Sequence, residues 1–108
     1  MDLIEISQEI RRVSRRLDAA PKTIFEAARE YAETERVYRM ELSKEITKLR
    51  VEGMSVTLVP DIARGNVSEL KFKRDLAEGK YKSSMQALEA LKAQVNALQT
   101  ITRFYSEV

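Results

Sequence analysis

The sequence predicts an all-α fold, in which a long antiparallel helical hairpin, coiled-coil-like, carries a shorter N-terminal helix and is assembled into an oligomeric bundle. Two prolines and three glycines among 108 residues leave long stretches without a helix breaker. Along those stretches, apolar residues recur at the alternating three- and four-residue spacing of a helix seam. At this length we expect one helical domain that spans residues 1–108.

The first predicted helix covers about residues 2–19. Its apolar seam consists of Leu3, Ile6, Ile10, Val13 and Leu17. Asp2 is suited to cap the start of this helix, because its carboxylate can accept a hydrogen bond from an amide in the first turn. Pro21 is predicted to end the helix, since the proline ring cannot continue the hydrogen-bond ladder and biases the preceding residue away from helical dihedrals.

A second helix is predicted over about residues 22–52, and Gly53 is its predicted C-cap. Tyr31 and Tyr38, seven residues apart, are expected in a core or an interface. Residues 53–66 are predicted to form a structured loop with a short helical turn at 61–64, whose apolar residues fold back over the second helix. The third helix is predicted over about 67–106 with Ser68 as N-cap, and it packs antiparallel to the second.

The segment 83–102 of the third helix carries only two charges, Glu89 and Lys92, in a chain of which 33% is charged. Its seam, extended to the end of the helix, is predicted to be Leu88, Leu91, Val95, Leu98, Ile101 and Tyr105. Flanking this seam are Ala87, Ala90, Ala93 and Ala97. Most of the circumference therefore lacks a charged face, which favours helical partners on more than one side and a homo-oligomer, a dimer or higher assembly.

The composition indicates no catalytic, cofactor or metal site. Cysteine and histidine are both absent, which excludes thiol nucleophiles, thiolate ligands and Glu-x-x-His pairs. No apolar run of about 18 residues is present, and the N-terminus begins acidic, unlike a secretory leader. We therefore expect a cytoplasmic non-enzyme with no cofactor, no small-molecule substrate and no membrane partner.

Two basic clusters are candidate nucleic-acid or acidic-partner contacts. The first is Arg11, Arg12, Arg15 and Arg16, whose guanidinium groups suit phosphates; alternatively it is a solvated face, or it bridges to the acidic residues between 26 and 35. The second is Lys71, Lys73 and Arg74, near Phe72 and Tyr81, a mixture that suits single-stranded nucleic acid. For this cluster too an ordinary surface is the alternative, because Glu69, Asp75 and Glu78 dilute its charge.

The chain contains LRVEG, a short apolar Pro-Asp loop, RGN and then RDLAEGKYKSSMQALEALKAQVNALQT. This arrangement resembles the small helical-hairpin proteins that phages and prophages of Gram-positive bacteria encode among their early genes. The resemblance covers roughly residues 49–102. It implies a protein of the bacterial host cytoplasm that binds and redirects replication, recombination, transcription or defence machinery. It carries no functional residue over to this chain.

The sequence therefore favours a non-enzymatic helical protein-interaction module that self-associates and binds or modulates another protein. The alternative is a nucleic-acid-binding protein that uses the four-arginine cluster.

Overall fold

A computed structural model describes residues 2–107 of the chain, with side chains to Ser106. These residues form three helices and no strand: α1 (Leu3–Val51), α2 (Val59–Asn66) and α3 (Ser68–Glu107). Helices α1 and α3 are antiparallel, because Glu30 pairs with Lys80 whereas Glu35, further along α1, pairs with Arg74. The predicted all-α hairpin is confirmed. None of the described helices is both long and apolar enough to cross a bilayer.

Helix α1 continues through Pro21, so the predicted break at this residue and the separate N-terminal helix packed on the hairpin are both wrong. The apolar seam explains the continuity, since Leu17, Ala20 and Ile24 follow one another by three and four residues across the proline. A break at Pro21 would take this seam out of phase. Because α1 does not fold back, the proposed bridge from the arginine cluster to the acidic residues between 26 and 35 is excluded as well.

Both ends of α1 are capped as predicted. The Glu5 amide donates a hydrogen bond of 2.8 Å to Oδ1 of Asp2, which satisfies one of the free amides of the first turn. At the other end Gly53 adopts a φ of +87°, and its amide and that of Met54 donate to the carbonyls of Arg50 and Leu49 at 3.0 and 3.1 Å. This is a Schellman motif, and Met54 packs against the core that contains Leu49.

The predicted loop contains a complete helix, α2, longer than the single turn expected at 61–64. Val59 and Ala63 of α2 are buried at 1% and 0% exposure, whereas Val56 and Leu58 stay exposed, so the apolar loop residues fold back only in part. The Val67 carbonyl accepts the first hydrogen bonds of α3. Val67, and not the predicted Ser68, therefore occupies the N-cap position.

The chain divides into two compact units. We call residues 1–26 and 82–108 the terminal unit and residues 27–81 the loop unit. The core of the terminal unit contains Ile6 and Val13 from α1 and Leu91 and Leu98 from α3, with Ile10, Leu17 and Val95 packed against it. The core of the loop unit contains Leu49, Val59 and Ala63, with Leu42, Ile46 and Met54 around it. In each unit the core therefore lies between the elements that the hairpin brings together.

Pro21 is expected to cost stability, because a proline inside a helix removes one hydrogen bond and its ring crowds the carbonyl four residues earlier. Replacing it by alanine (Pro21→Ala) is expected to raise the free energy of unfolding by roughly 1–3 kcal/mol with unchanged helicity. Urea denaturation followed by circular dichroism measures this. Pro60→Ala is the matched control, because Pro60 lies in the first turn of α2, where proline is favourable; no gain is expected there. A Pro21→Ala variant no more stable than the wild type would contradict this view of α1.

Candidate interaction site on helix α3

Of the six residues in the predicted seam of α3, two are buried, two are half-buried and two are exposed. Leu91 and Leu98 are 7% and 8% exposed in the core of the terminal unit, and Leu88 and Val95 are half-buried. Ile101 and Tyr105, the last two, are 40% and 43% exposed. The seam therefore serves first to join α3 to α1, and it leaves apolar surface uncovered only towards the end of the helix.

A second side of α3 is uncharged and fully exposed in the single chain. At about 103° per residue, the 3.5-residue period of a heptad seam, its members occupy a sector roughly 100° wide, about 130° around the helix from the buried seam. We call this sector the α3 face. It consists of Ser83, Gln86, Ala87, Ala90, Ala93, Gln94, Ala97, Thr100, Ile101 and Phe104, all of them exposed. The charged residues of this part of α3, Lys82, Glu89, Lys92 and Arg103, all lie outside it.

A cleft of about 270 Å³ opens between the two helices of the terminal unit, beside the α3 face. It exists because Ala20 and Ser84 occupy seam positions of α1 and α3 with side chains too small to fill the space between the helices. Its walls consist of Arg16, Ala19, Ala20, Thr23, Ile24, Ser84, Ala87, Leu88 and Leu91. Ala87 belongs to both the cleft and the α3 face, so the two features form one continuous surface.

Large apolar side chains are exposed at the opposite end of the α3 face. Phe104 is 67% exposed, and its ring lies edge-on to that of Tyr105 at a centroid distance of 6.3 Å. Leu3 and Ile4 of α1 are 52% and 71% exposed, and together with Tyr105 they line a shallow depression. Exposed side chains of this size in a concentrated group mark a contact surface. Val108, the last residue of the sequence, lies outside the described residues.

All four arginines of the first basic cluster are exposed on α1. Arg12 forms a two-pronged ion pair with Glu9, and this hydrogen bonding raises the pKa of Arg12 and lowers that of Glu9. Arg11, Arg15 and Arg16 make no ion pair with any residue between 2 and 106. Three guanidinium groups are therefore available on this surface, and that of Arg16 borders the cleft.

Most of the second basic cluster is engaged within the loop unit. Arg74 is only 22% exposed, with its guanidinium 4.9 Å from the ring centre of Tyr38 and 3.2 Å from Oε2 of Glu35. Asp75 accepts hydrogen bonds from both Arg74 and Lys71, at 2.8 and 3.1 Å. Of the three residues predicted to meet a partner, only Lys73 extends freely into solvent in the described part of the chain.

The pair between Glu35 and Arg74 is not among the predictions from the sequence, although Glu35 lies four residues after Tyr31 and three before Tyr38, at the spacing of a helix seam. The missing signal was in α3, where Arg74 falls at the seam position between Leu70 and Ala77. A charged residue on each of two facing seams predicts an ion pair. Hydrogen bonding from Arg39, aided by the charge of Arg74, holds the pKa of Glu35 below its usual value. The pair therefore fixes how the two helices align within the loop unit.

Acid is expected to weaken the fold through this network. A carboxyl group whose pKa is lower in the folded than in the unfolded chain stabilises the fold above its unfolded pKa, and that stabilisation is lost as the pH falls through the folded pKa. Glu35 and Asp75 both have lowered pKa values, the latter through hydrogen bonds from Arg74 and Lys71. The urea concentration at the midpoint of unfolding is therefore expected to decrease as the pH is lowered from about 5 to about 2. In the Glu35→Gln variant this midpoint is expected to decrease less steeply.

Glu52→Gln is the control for this measurement, since Glu52 is exposed and forms no ion pair with the residues that the structure describes. It should follow the wild-type curve. A Glu35→Gln variant with the wild-type pH dependence would show that the network does not contribute.

Among residues 2–106, whose side chains the structure describes, no group of three carboxylates is placed to hold a metal ion. Comparisons of this chain with protein-family models, with curated proteins and with solved structures found no match. The resemblance to phage early proteins thus stays a prediction. The candidate site of this chain is accordingly described by its own geometry, a continuous surface of the terminal unit made of the α3 face, the cleft and the exposed apolar end.

Proposed function

We propose that this chain is a non-enzymatic protein-interaction module, which self-associates and binds or modulates another protein through its helical surfaces. The observation that carries the proposal is the α3 face, ten exposed positions without a charge in a chain that is one-third charged. An exposed helix sector of this kind is typical of a surface that another helix covers.

The composition of the α3 face favours a helical partner. Small side chains such as those of Ala90 and Ala97 let the backbone of a second helix approach closely, so that many weak dispersion contacts form along its length. The spacing of the face by three and four residues matches the ridges of an approaching helix. Ile101 and Phe104 add larger apolar side chains that gain most from removal from water.

The resemblance to phage early proteins suggests what such a module does. Under this proposal it acts in the cytoplasm of a bacterial host, where it binds a protein of the host or phage machinery for nucleic-acid metabolism or defence. Binding of this kind needs a docking surface and no chemistry, which agrees with a surface built from alanine, glutamine and a few apolar residues.

A charged α3 face is expected to abolish partner binding. In the double variant Ala90→Glu, Ala97→Glu two unpaired carboxylates would have to be buried under a docked helix, which costs several kcal/mol. Both positions are exposed in the single chain, so the fold should persist, as circular dichroism would verify. Tagged protein expressed in its native cells is expected to retain a specific protein as wild type and to lose it as the double variant.

Asn96→Glu is the matched control, because Asn96 lies on the same helix outside both the seam and the α3 face. It should retain whatever the wild type retains. If the double variant binds the same protein as strongly as the control, the α3 face is not the docking surface.

Nucleic-acid binding is the second candidate, and it is supported by the guanidinium groups of Arg11, Arg15 and Arg16, which form no ion pair among the described residues. We expect binding, if this function holds, to weaken steeply with salt, since each neutralised phosphate releases a counterion. Mobility shifts with single- and double-stranded probes from 25 to 300 mM salt would measure the slope. Replacing the three arginines by glutamine should flatten it, whereas no shift at the lowest salt would remove this candidate.

A further inference from the structure

We propose that the helix that covers the α3 face is α3 of a second copy of this chain, laid antiparallel across it about a two-fold axis near Ala93 and Gln94. In this arrangement Ile101 and Phe104 of each copy enter the cleft of the other. The inference rests on the proposed function and names the partner of the same surface.

The first support is that the same surface of the terminal unit contains both the cleft and exposed side chains that could occupy the cleft of a second copy. A two-fold interface joins the same patch on both copies, so a patch that pairs with itself must contain both parts. The cleft lies beside Ser84 and Ala87 and is about 270 Å³ in volume. The inserting side chains are Ile101 and Phe104, which are 40% and 67% exposed.

The second support is the register. Ala87 and Ile101 lie seven residues on either side of Gln94, and Ser84 and Phe104 lie ten residues on either side. An antiparallel pairing centred there places each large side chain opposite a small one, at equal distances along the helix of roughly 10 and 15 Å from the axis. A parallel pairing would instead stack Phe104 on Phe104 and leave both clefts empty.

The third support is electrostatic. Two copies of the same charged surface repel each other, but the α3 face brings no charge to the contact, since the nearest charged residues of α3, Lys82, Glu89 and Arg103, lie outside the sector. Arg16 is the charged residue that borders the cleft. At the centre, the amide of Gln94 meets that of the second copy. Each amide has both donors and an acceptor, so the two can hydrogen-bond to one another and fix the register.

Single cysteines test this arrangement directly, because the chain has none of its own. Under mild oxidation Gln94→Cys is expected to form a disulfide-linked dimer with itself. Ala87→Cys and Ile101→Cys, one of them carrying a mass tag, should link to each other when mixed and link poorly to themselves. Asn96→Cys is the control and should stay unlinked, since residue 96 lies away from the interface. Disulfides require Cα atoms within about 7 Å, so the pattern reports the register.

Sedimentation of the unmodified chain over a concentration series provides a measure that needs no substitution. We expect the unmodified chain to sediment with the mass of two chains. The double variant Ile101→Ala, Phe104→Ala is expected to sediment with the mass of one chain. Self-linking of Ile101→Cys without mixed linking would overturn the antiparallel arrangement, and a single-chain mass at every concentration would overturn the second copy as partner. A single-chain mass would also remove self-association from the proposed function. Loss of a captured protein in the double variant Ala90→Glu, Ala97→Glu would still uphold its binding of another protein through the α3 face, so the two failures are distinguishable.

Discussion

The burial of one helix seam against another is the interaction on which this fold depends. Within each unit the residues of α1 that recur every three or four positions are the ones covered by α2 or α3, as Val13 is in the terminal unit and Leu49 in the loop unit. Aromatic side chains are few, so the free energy comes from many small aliphatic contacts along the helices. This distributed burial accounts for the continuity of α1 through Pro21, where the local cost of the proline is lower than that of breaking the seam.

The seam departs from apolar composition in two ways, with different consequences. In the terminal unit Ala20 and Ser84 are too small, and the result is a cleft with apolar walls. In the loop unit Glu35 and Arg74 are charged, and the result is a partly buried ion pair that also covers the ring of Tyr38. An ion pair of this kind adds little stability compared with apolar residues, but it disfavours other alignments of the two helices. The open cleft of the terminal unit and the charged pair of the loop unit therefore arise from separate departures.

Local patterns predicted the fold class, the capping by Asp2 and Gly53 and the burial of Leu91 and Leu98, because short-range geometry decides each of these. Pro21 was misjudged because its local preference competes with a seam that only the opposite helix makes favourable. Helix α2 extends beyond the predicted turn at 61–64 for the same reason, since the burial of Val59 and Ala63 against α1 stabilises a segment rich in turn residues. Which side of α3 stays exposed to solvent depends on the rotation of the helix about its own axis. The periodicity of the sequence indicated only that α3 has more apolar surface than one neighbouring helix can cover.

The α3 face follows from this excess. A helix that joins a two-helix hairpin needs only one narrow apolar seam, and its remaining circumference is free to carry lysine and glutamate, which favour helix formation and solubility. In the loop unit α3 does so, with Lys71, Lys73 and Lys80. In the terminal unit one sector of the same helix carries ten exposed positions without a charge, in a chain that is 33% charged. Alanine at several of these positions favours helix formation, and its small side chain lets the backbone of a neighbouring helix approach closely. Both properties suit the contact with another helix that we propose for this surface.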